Sequence, residues 1–134
     1  MNSYNLIPLV ARICLSAIFL RSAISGILNF SSTQQMIAGQ GLPVPALLLA
    51  GNIVLQIIGG ISLVLGYKAR WGAIILILFL IPTTLVFHPF WSNPAETIDF
   101  LKNLGLIGGL LLVTYVGAGA ISVDGATTSS SKSP

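Results

Sequence analysis

Long apolar runs joined by short polar links are the feature that most constrains the fold of this chain. Four runs fall at about 6–30, 46–65, 71–87 and 98–121, and an α-helix needs roughly 20 apolar residues to cross a bilayer. Only 7% of the 134 residues are charged, whereas a soluble domain carries about 25%. The chain cannot cover a globular surface with polar groups. The sequence therefore predicts an all-α, integral membrane four-helix bundle.

The apolar part forms one predicted membrane domain, residues 1–123. The remaining residues, 124–134, are rich in Ser and Thr and are predicted to form a polar disordered tail. The net charge is +3, but the basic residues are scattered and form no cluster of the kind that binds nucleic acid. The lipid bilayer is therefore an expected partner, and nucleic acid is not.

The distribution of basic residues predicts the orientation. With four spans, both termini and the link between the second and third runs share one side, which carries Lys68, Arg70 and Lys132. The opposite side carries Lys102, offset by two acidic residues. Lys and Arg are enriched in cytoplasmic segments. We therefore expect cytoplasmic termini, in a bacterial inner membrane or a thylakoid membrane.

Polar chemistry concentrates between the third and fourth runs, where the only histidine, His88, lies close to Trp91. An imidazole nitrogen can donate to a quinone carbonyl and exchange a proton near neutral pH, while Trp91 stacks on the ring. The alternative is a helix-end histidine within an aromatic belt at the membrane surface. No second histidine is present and Cys14 is the only cysteine, so we predict no metal or haem site.

The first run contains two arginines. Arg21 is predicted to face the bundle interior, because a charge near the bilayer centre is costly. There it would clamp an anion or a quinone oxygen, or tie spans together. Its candidate partners are Gln56, Asn52, the carbonyls freed by Pro82, and Asp99. Arg12 lies about 180° around the helix from Arg21. It is predicted to snorkel to the cytoplasmic surface or to link helices, with Asp124 as a candidate partner.

The start of the fourth run is acidic. Glu96 and Asp99 are predicted to stabilise a helix N-terminus, where negative charge is favourable. Asp99 and Lys102 are three residues apart and can pair on one helix face. Asn103 lies one turn deeper, within predicted reach of His88.

Short motifs that are typical of one family occur along nearly the whole chain, in the order that the family shows. The most specific are His-Pro-Phe-Trp at 88–91 and Phe-Leu-Lys-Asn at 100–103. They are accompanied by Arg12, Phe19-Leu20, Ser25-Gly26, Gly41-Leu-Pro-Val-Pro45, Gly59-Gly60, Gly66 to Arg70, Gly108-Gly109, Gly117-Ala-Gly119 and Ser122-Val-Asp124. In these motifs the chain resembles the DoxX family of small four-helix membrane proteins.

The resemblance implies a quinone-linked redox or accessory protein. The family is named for a subunit linked to an archaeal terminal oxidase and to thiosulfate:quinone oxidoreduction, and some bacterial relatives are described as membrane partners of redox and thiol-handling enzymes. Family members often have a lysine at the position of Asn29 and a glutamate at that of Gln56. Two amides in place of two charges favour an accessory or structural role over proton-coupled chemistry.

Two functional hypotheses follow, and whether the chain is itself an enzyme stays open. The first is a quinone-linked redox accessory subunit of a membrane complex. The alternative is a non-enzymatic structural or assembly subunit that docks on a larger membrane complex. No catalytic residue is assigned. The residues assigned to a quinone or anion are Arg21, Gln56, His88, Trp91, Lys102 and Asn103. Those assigned as structural polar residues are Arg12, Asn52, Asp99 and Asp124.

Overall fold

The computed structural model describes residues 3–126, and this part of the chain contains no strand. Its four helices long and apolar enough to cross a membrane confirm the predicted all-α membrane architecture. A shorter helix follows the first span. In chain order the helices are α1 (Leu6–Leu28), α2 (Phe30–Gly39), α3 (Pro45–Leu65), α4 (Ala69–Phe87) and α5 (Thr97–Val116).

Local backbone chemistry sets these bounds. α1 ends at Leu28 rather than at residue 30, because Asn29 leaves the helical region (φ −117°, ψ 38°). α3 begins with Pro45, whose missing N–H does no harm at the first helical position. α5 ends at Val116, five residues before the predicted end at 121, since Gly117 turns the chain with φ 88°. Glycine adopts this left-handed region without the steric cost other residues meet.

The spans alternate in direction and pack in sequence order. α1 packs on α3, α3 on α4, and α4 on α5. Only residues 66–68 separate α3 from α4, which forces the antiparallel hairpin that the short link predicts. We call the end where α1 begins and α5 ends the terminal end, and the opposite end, where His88 lies, the histidine end.

The outer surface of the bundle is apolar. Between 11% and 33% of each span's most apolar segment is buried, so most of its side chains point outward. Large exposed residues such as Ile24, Leu78 and Leu112 would be unfavourable in water. The bundle is therefore embedded in lipid.

Arg12 and Asp124 join separate segments at the terminal end through different sets of hydrogen bonds. The Arg12 side chain is 1% exposed. Its guanidinium donates to the carbonyl oxygens of Leu63 (2.8 Å), Val64 (3.3 Å) and Ile121 (2.5 Å). Arg12 therefore links α1 to the end of α3 and to the segment after α5. The interhelical role that we predicted fits this position, but the bonds go to backbone carbonyls and not to the carboxylate of Asp124.

Asp124 instead caps α4 from a distance of more than fifty residues in sequence. Its Oδ1 accepts the backbone N–H of Lys68 at 2.7 Å and its Oδ2 accepts that of Ala69 at 3.0 Å. Residues 124–126, which we expected to begin a disordered tail, therefore belong to the packed terminal end, within a helical turn over 123–126. The rest of the expected tail, 127–134, lies outside the described residues.

Candidate ligand cavity at the histidine end

A cavity of about 160 Å³ lies among the four spans at the histidine end. It contains three of the six residues that we assigned to a quinone or anion: Gln56, His88 and Asn103. Two hydroxyl groups add to its polar lining, and apolar side chains supply the rest. The lining residues are Ile18, Phe19, Ser22, Gln56, Phe79, Leu80, Thr83, His88, Asn103 and Leu106.

His88 follows the last residue of α4 and is held at both its backbone and its ring. Its backbone N–H donates to the carbonyl of Thr84 at 3.0 Å, and Nδ1 lies 2.7 Å from Oε2 of Glu96. An ionised carboxylate only accepts hydrogen bonds, so Nδ1 carries the proton in this pair. Nε2 has no hydrogen bond within residues 3–126. The ring therefore keeps one nitrogen free for a ligand.

Glu96 lies at the start of α5, where we predict that its negative charge stabilises the helix N-terminus. Its side chain makes no capping hydrogen bond there and bonds to His88. The sequence holds a signal for this contact: Pro89 follows His88, and Asn93 with Pro94 starts a short 3-10 turn ending at Glu96. The chain thus turns back on itself within eight residues.

Asn103 lines the same cavity as His88, as its predicted reach requires, but its side chain bonds to a different residue. Its Nδ2 donates to Oγ1 of Thr84 at 3.1 Å, and that hydroxyl donates to the carbonyl of Leu80 at 2.7 Å. These bonds fasten α5 to α4 beside the cavity. The amide oxygen of Asn103 has no hydrogen bond within the described residues, so it remains available as an acceptor.

Gln56 and Asn52 form a second polar pair, along α3. The Gln56 side chain is 2% exposed, and its Nε2 donates to Oδ1 of Asn52. The two amides lie one helical turn apart, and their hydrogen bond satisfies one donor and one acceptor in an apolar span, where lipid offers no partner. The amide oxygen of Gln56 has no hydrogen bond in the described part of the chain and is a second free acceptor.

An apolar groove of about 440 Å³ adjoins the cavity. Phe79 and Thr83 line both spaces. The groove contains side chains of α2, α3 and α4, among them Ile37, Leu55 and Phe87, and Asn52 is one of its few polar residues. A small cavity of mixed polarity therefore stands next to a larger, almost entirely apolar groove.

Three of the assigned residues lie outside the cavity. Arg21 is exposed on α1, which contradicts the expectation that it faces the interior: the buried face of α1 passes through Ser16, Phe19 and Ala23. Lys102 is exposed on α5. Trp91 is 59% exposed and does not line the cavity. It packs edge-on against Phe90 (5.4 Å between ring centroids) and Phe100 (6.1 Å).

The acids beside His88 resemble a metal site in their spacing. The candidate ligand atoms of His88, Glu96 and Asp99 all lie within 4.8 Å of one another, although we predicted no metal site around a single histidine. Nδ1 is 4.0 Å from Oδ2 of Asp99, too far for a hydrogen bond. The shorter contact, 2.7 Å to Glu96, has the length of a charge-assisted hydrogen bond. That no metal binds around this histidine stays a prediction.

Comparison with known proteins agrees with the architecture. Residues 7–89 match the DoxX family model. The chain belongs to the DoxX family. It is similar to two Escherichia coli (strain K12) proteins: inner membrane protein YphA, with 31% identity over 87% of this chain and 86% of the relative, and inner membrane protein YqjF, with 33% identity over 87% and 88%.

A eukaryotic protein shares part of the sequence. ER-derived vesicles protein ERV29 of Saccharomyces cerevisiae is 44% identical over 54% of this chain, but the match covers only 25% of that protein. No solved structure matches the chain significantly. The chain is thus a multi-pass integral membrane protein of the DoxX family with relatives in the bacterial inner membrane. The family match ends at residue 89, so Glu96 and Asn103 lie beyond it.

Proposed function

We propose that this DoxX-family protein binds a quinone at the histidine end and serves as a quinone-linked accessory subunit of a membrane complex. The observation that carries the proposal is the free Nε2 of His88 beside a cavity of about 160 Å³. A cavity of about 150 Å³ holds a benzene ring in another protein. The cavity is therefore close in size to one unsubstituted six-membered ring, and the substituents of a ubiquinone ring would reach beyond it. The carbonyls of a quinone need hydrogen-bond donors.

The adjoining groove supports the same ligand. A membrane quinone carries a long apolar tail that the ring-sized cavity cannot hold. The groove of about 440 Å³ shares Phe79 and Thr83 with the cavity, so a tail that leaves the ring can continue into apolar surroundings. The quinone ring thus meets polar side chains in the cavity, and the quinone tail meets apolar side chains in the groove.

His88 supplies proton exchange in this proposal. When both ring nitrogens are protonated, Nε2–H donates to a quinone carbonyl, and Glu96 balances the imidazolium charge. When the ring is neutral, Nε2 accepts the hydroxyl proton of a quinol. The free amide oxygens of Gln56 and Asn103 can accept from a quinol hydroxyl as well. The electrons would come from, or pass to, the redox centre of a partner enzyme.

The test is a binding titration with a short-tailed ubiquinone on the protein purified in mild detergent. We expect a quinone-dependent rise in melting temperature and a co-purified quinone that organic extraction recovers. Ser22→Phe places a ring into the cavity and should weaken binding at least tenfold. Ser25→Phe, one turn further along α1 and outside the cavity lining, is the matched control. A wild-type protein that neither retains quinone nor gains stability with it would contradict the proposal.

A second candidate is a non-enzymatic assembly subunit, and the position of Arg21 favours it. Arg21 is exposed within a membrane-spanning helix and has no hydrogen bond or ion pair within residues 3–126. Gly105 and Gly108 are also exposed, with no atom of the chain near their Cβ positions. Small residues let another helix approach closely, and a membrane-facing charge is stabilised by a partner. Together they support a second membrane subunit beside this chain.

Native gel electrophoresis in mild detergent tests the assembly role. Migration of the wild type with a larger complex is expected, and Arg21→Leu should release it. Lys102→Leu removes a cation nearer the end of a span and should leave the complex intact. A wild-type chain that migrates as a free monomer would exclude this role.

For the orientation, we propose cytoplasmic termini in a bacterial inner membrane. The terminal end carries Lys68 and Arg70, whereas Lys102 at the histidine end is offset by Glu96 and Asp99. A green fluorescent protein fused after Pro134 should fluoresce, because this reporter folds on the cytoplasmic side. Alkaline phosphatase at the same position should be inactive, and the opposite pattern would reverse the orientation.

A further inference from the structure

The terminal end contains a second cavity, separate from the histidine end. This basic basin has a volume of about 800 Å³. Two exposed cations, Lys68 and Arg70, stand beside the exposed aromatic rings of Tyr67 and Trp71. The opposite wall is the segment that leaves α5, Val116–Ala120, together with Asp124 and Gly125.

Within residues 3–126, the two cations that line the basin outnumber its one carboxylate. Neither Lys68 nor Arg70 takes part in an ion pair there. Lys68 Nζ lies 5.6 Å from the centre of the Tyr67 ring, and Arg70 makes one long hydrogen bond of 3.4 Å to the carbonyl of Val116. The only acidic residue lining the basin is Asp124, and both of its oxygens accept backbone N–H groups. Asp124 keeps its negative charge in these bonds, so Lys68, Arg70 and Asp124 leave the basin with one net positive charge. The two cationic side chains form no salt bridge in the described part of the chain and stay available to an anion.

An apolar groove leads away from the basin along the outside of the bundle. It has a volume of about 410 Å³ and lies between α3 and α4. Tyr67, Lys68 and Trp71 line both spaces. The groove is otherwise almost entirely aliphatic, with Ile57, Ile58, Ile61, Leu65 and Ile75 among its walls. The basin, which suits an anionic group, thus adjoins a groove that suits a hydrocarbon chain.

We propose that the terminal end binds an anionic phospholipid, with the phosphate between Lys68 and Arg70 and one acyl chain in the groove between α3 and α4. Basic pockets beside membrane helices attract acidic headgroups, and tryptophan and tyrosine favour the level of the headgroups. Free inorganic phosphate would use the two cations but not the groove. The continuity of basin and groove therefore favours a lipid.

Native mass spectrometry of the full chain in mild detergent tests the site. Phosphatidylglycerol and phosphatidylcholine of matched acyl chains are added at equal concentration, and retained lipid is counted. We expect selective retention of phosphatidylglycerol. The double variant Lys68→Gln/Arg70→Gln should weaken it by about fivefold for each cation removed. Lys102→Gln, at the histidine end, is the matched control and should retain phosphatidylglycerol like the wild type.

Two further measurements separate the headgroup from the tail. Ile61→Trp fills the groove without changing any charge, and it should lower phosphatidylglycerol retention. Inorganic phosphate at millimolar concentration should not displace the lipid. The proposal is overturned by equal retention of both lipids, by undiminished retention in the double variant, or by displacement with phosphate. If the double variant does not fold, Arg70→Gln, which changes one exposed side chain, replaces it.

Discussion

Nδ1 of His88 lies 2.7 Å from Oε2 of Glu96, and this contact joins the end of α4 to the turn that precedes α5. The two side chains are 29% and 27% exposed, so solvent screens the pair and its contribution to stability is about 1 kcal/mol or less. The contact matters more for orientation. It fixes the imidazole ring and leaves Nε2 as the ring nitrogen without a hydrogen bond in the described part of the chain.

Glu96→Ala should therefore weaken quinone binding more than it weakens the fold. Loss of the charge-assisted bond frees the ring to rotate, and we expect about tenfold lower affinity with a change in unfolding free energy below about 1 kcal/mol. A short-tailed ubiquinone titration measures the first quantity, and unfolding in mixed micelles measures the second. Asp99→Ala is the control, since Asp99 lies 4.0 Å from Nδ1. An equal loss in both variants would refute the positioning role.

Arg12 and Arg21 share a helix but differ in their surroundings, which allows a matched test of stability. Arg12→Met leaves the carbonyls of Leu63, Val64 and Ile121 without their donor. We expect a loss of about 3 kcal/mol in unfolding free energy. Arg21→Met removes an exposed side chain with no bond to residues 3–126 and should not destabilise the isolated protein. Unfolding by sodium dodecyl sulfate in mixed micelles compares the two. A larger loss for Arg21→Met would reverse this assignment.

The same two residues show how far the sequence determines the fold. Four apolar runs near the length of a membrane span predicted the number of spans and their antiparallel order, because hydropathy and link length control both. The cost of a charge in lipid predicted that Arg21 would be inside. Instead, α1 packs with the face that carries Arg12. Which face of a uniformly apolar helix turns inward depends on the shapes of the neighbouring helices.

The candidate site was predictable to a similar degree. Gln56, His88 and Asn103 come together because inward amides and a helix-end histidine are costly in lipid, and this cost is visible in the sequence. The pairing of His88 with Glu96 depends on the path of a loop containing Pro89 and Pro94. Helix periodicity carries no information about such a path.

Gly59 tests the packing between α3 and α4. A Cβ atom at Gly59 would lie 2.5 Å from Cγ of Leu76, which is fully buried. Gly59→Ala should therefore destabilise the fold by about 1–3 kcal/mol through overpacking. Gly51, on the same helix, has no atom within 4 Å of its Cβ position, so Gly51→Ala should be neutral or stabilising by up to about 1 kcal/mol. Unfolding in mixed micelles distinguishes the two, and equal effects would contradict the packing described for α3 and α4.

Asp124 gives a graded test of the terminal end. Its two oxygens accept separate backbone N–H groups at the start of α4, from Lys68 and Ala69. Asp124→Asn keeps one acceptor oxygen and should lose part of the stability, whereas Asp124→Ala loses both bonds and should cost about 1–2 kcal/mol, as for other helix caps. The expected order of unfolding midpoints in mixed micelles is wild type, then Asn, then Ala. An Ala variant as stable as the wild type would show that water replaces the carboxylate at no cost and that α4 does not depend on this distant cap.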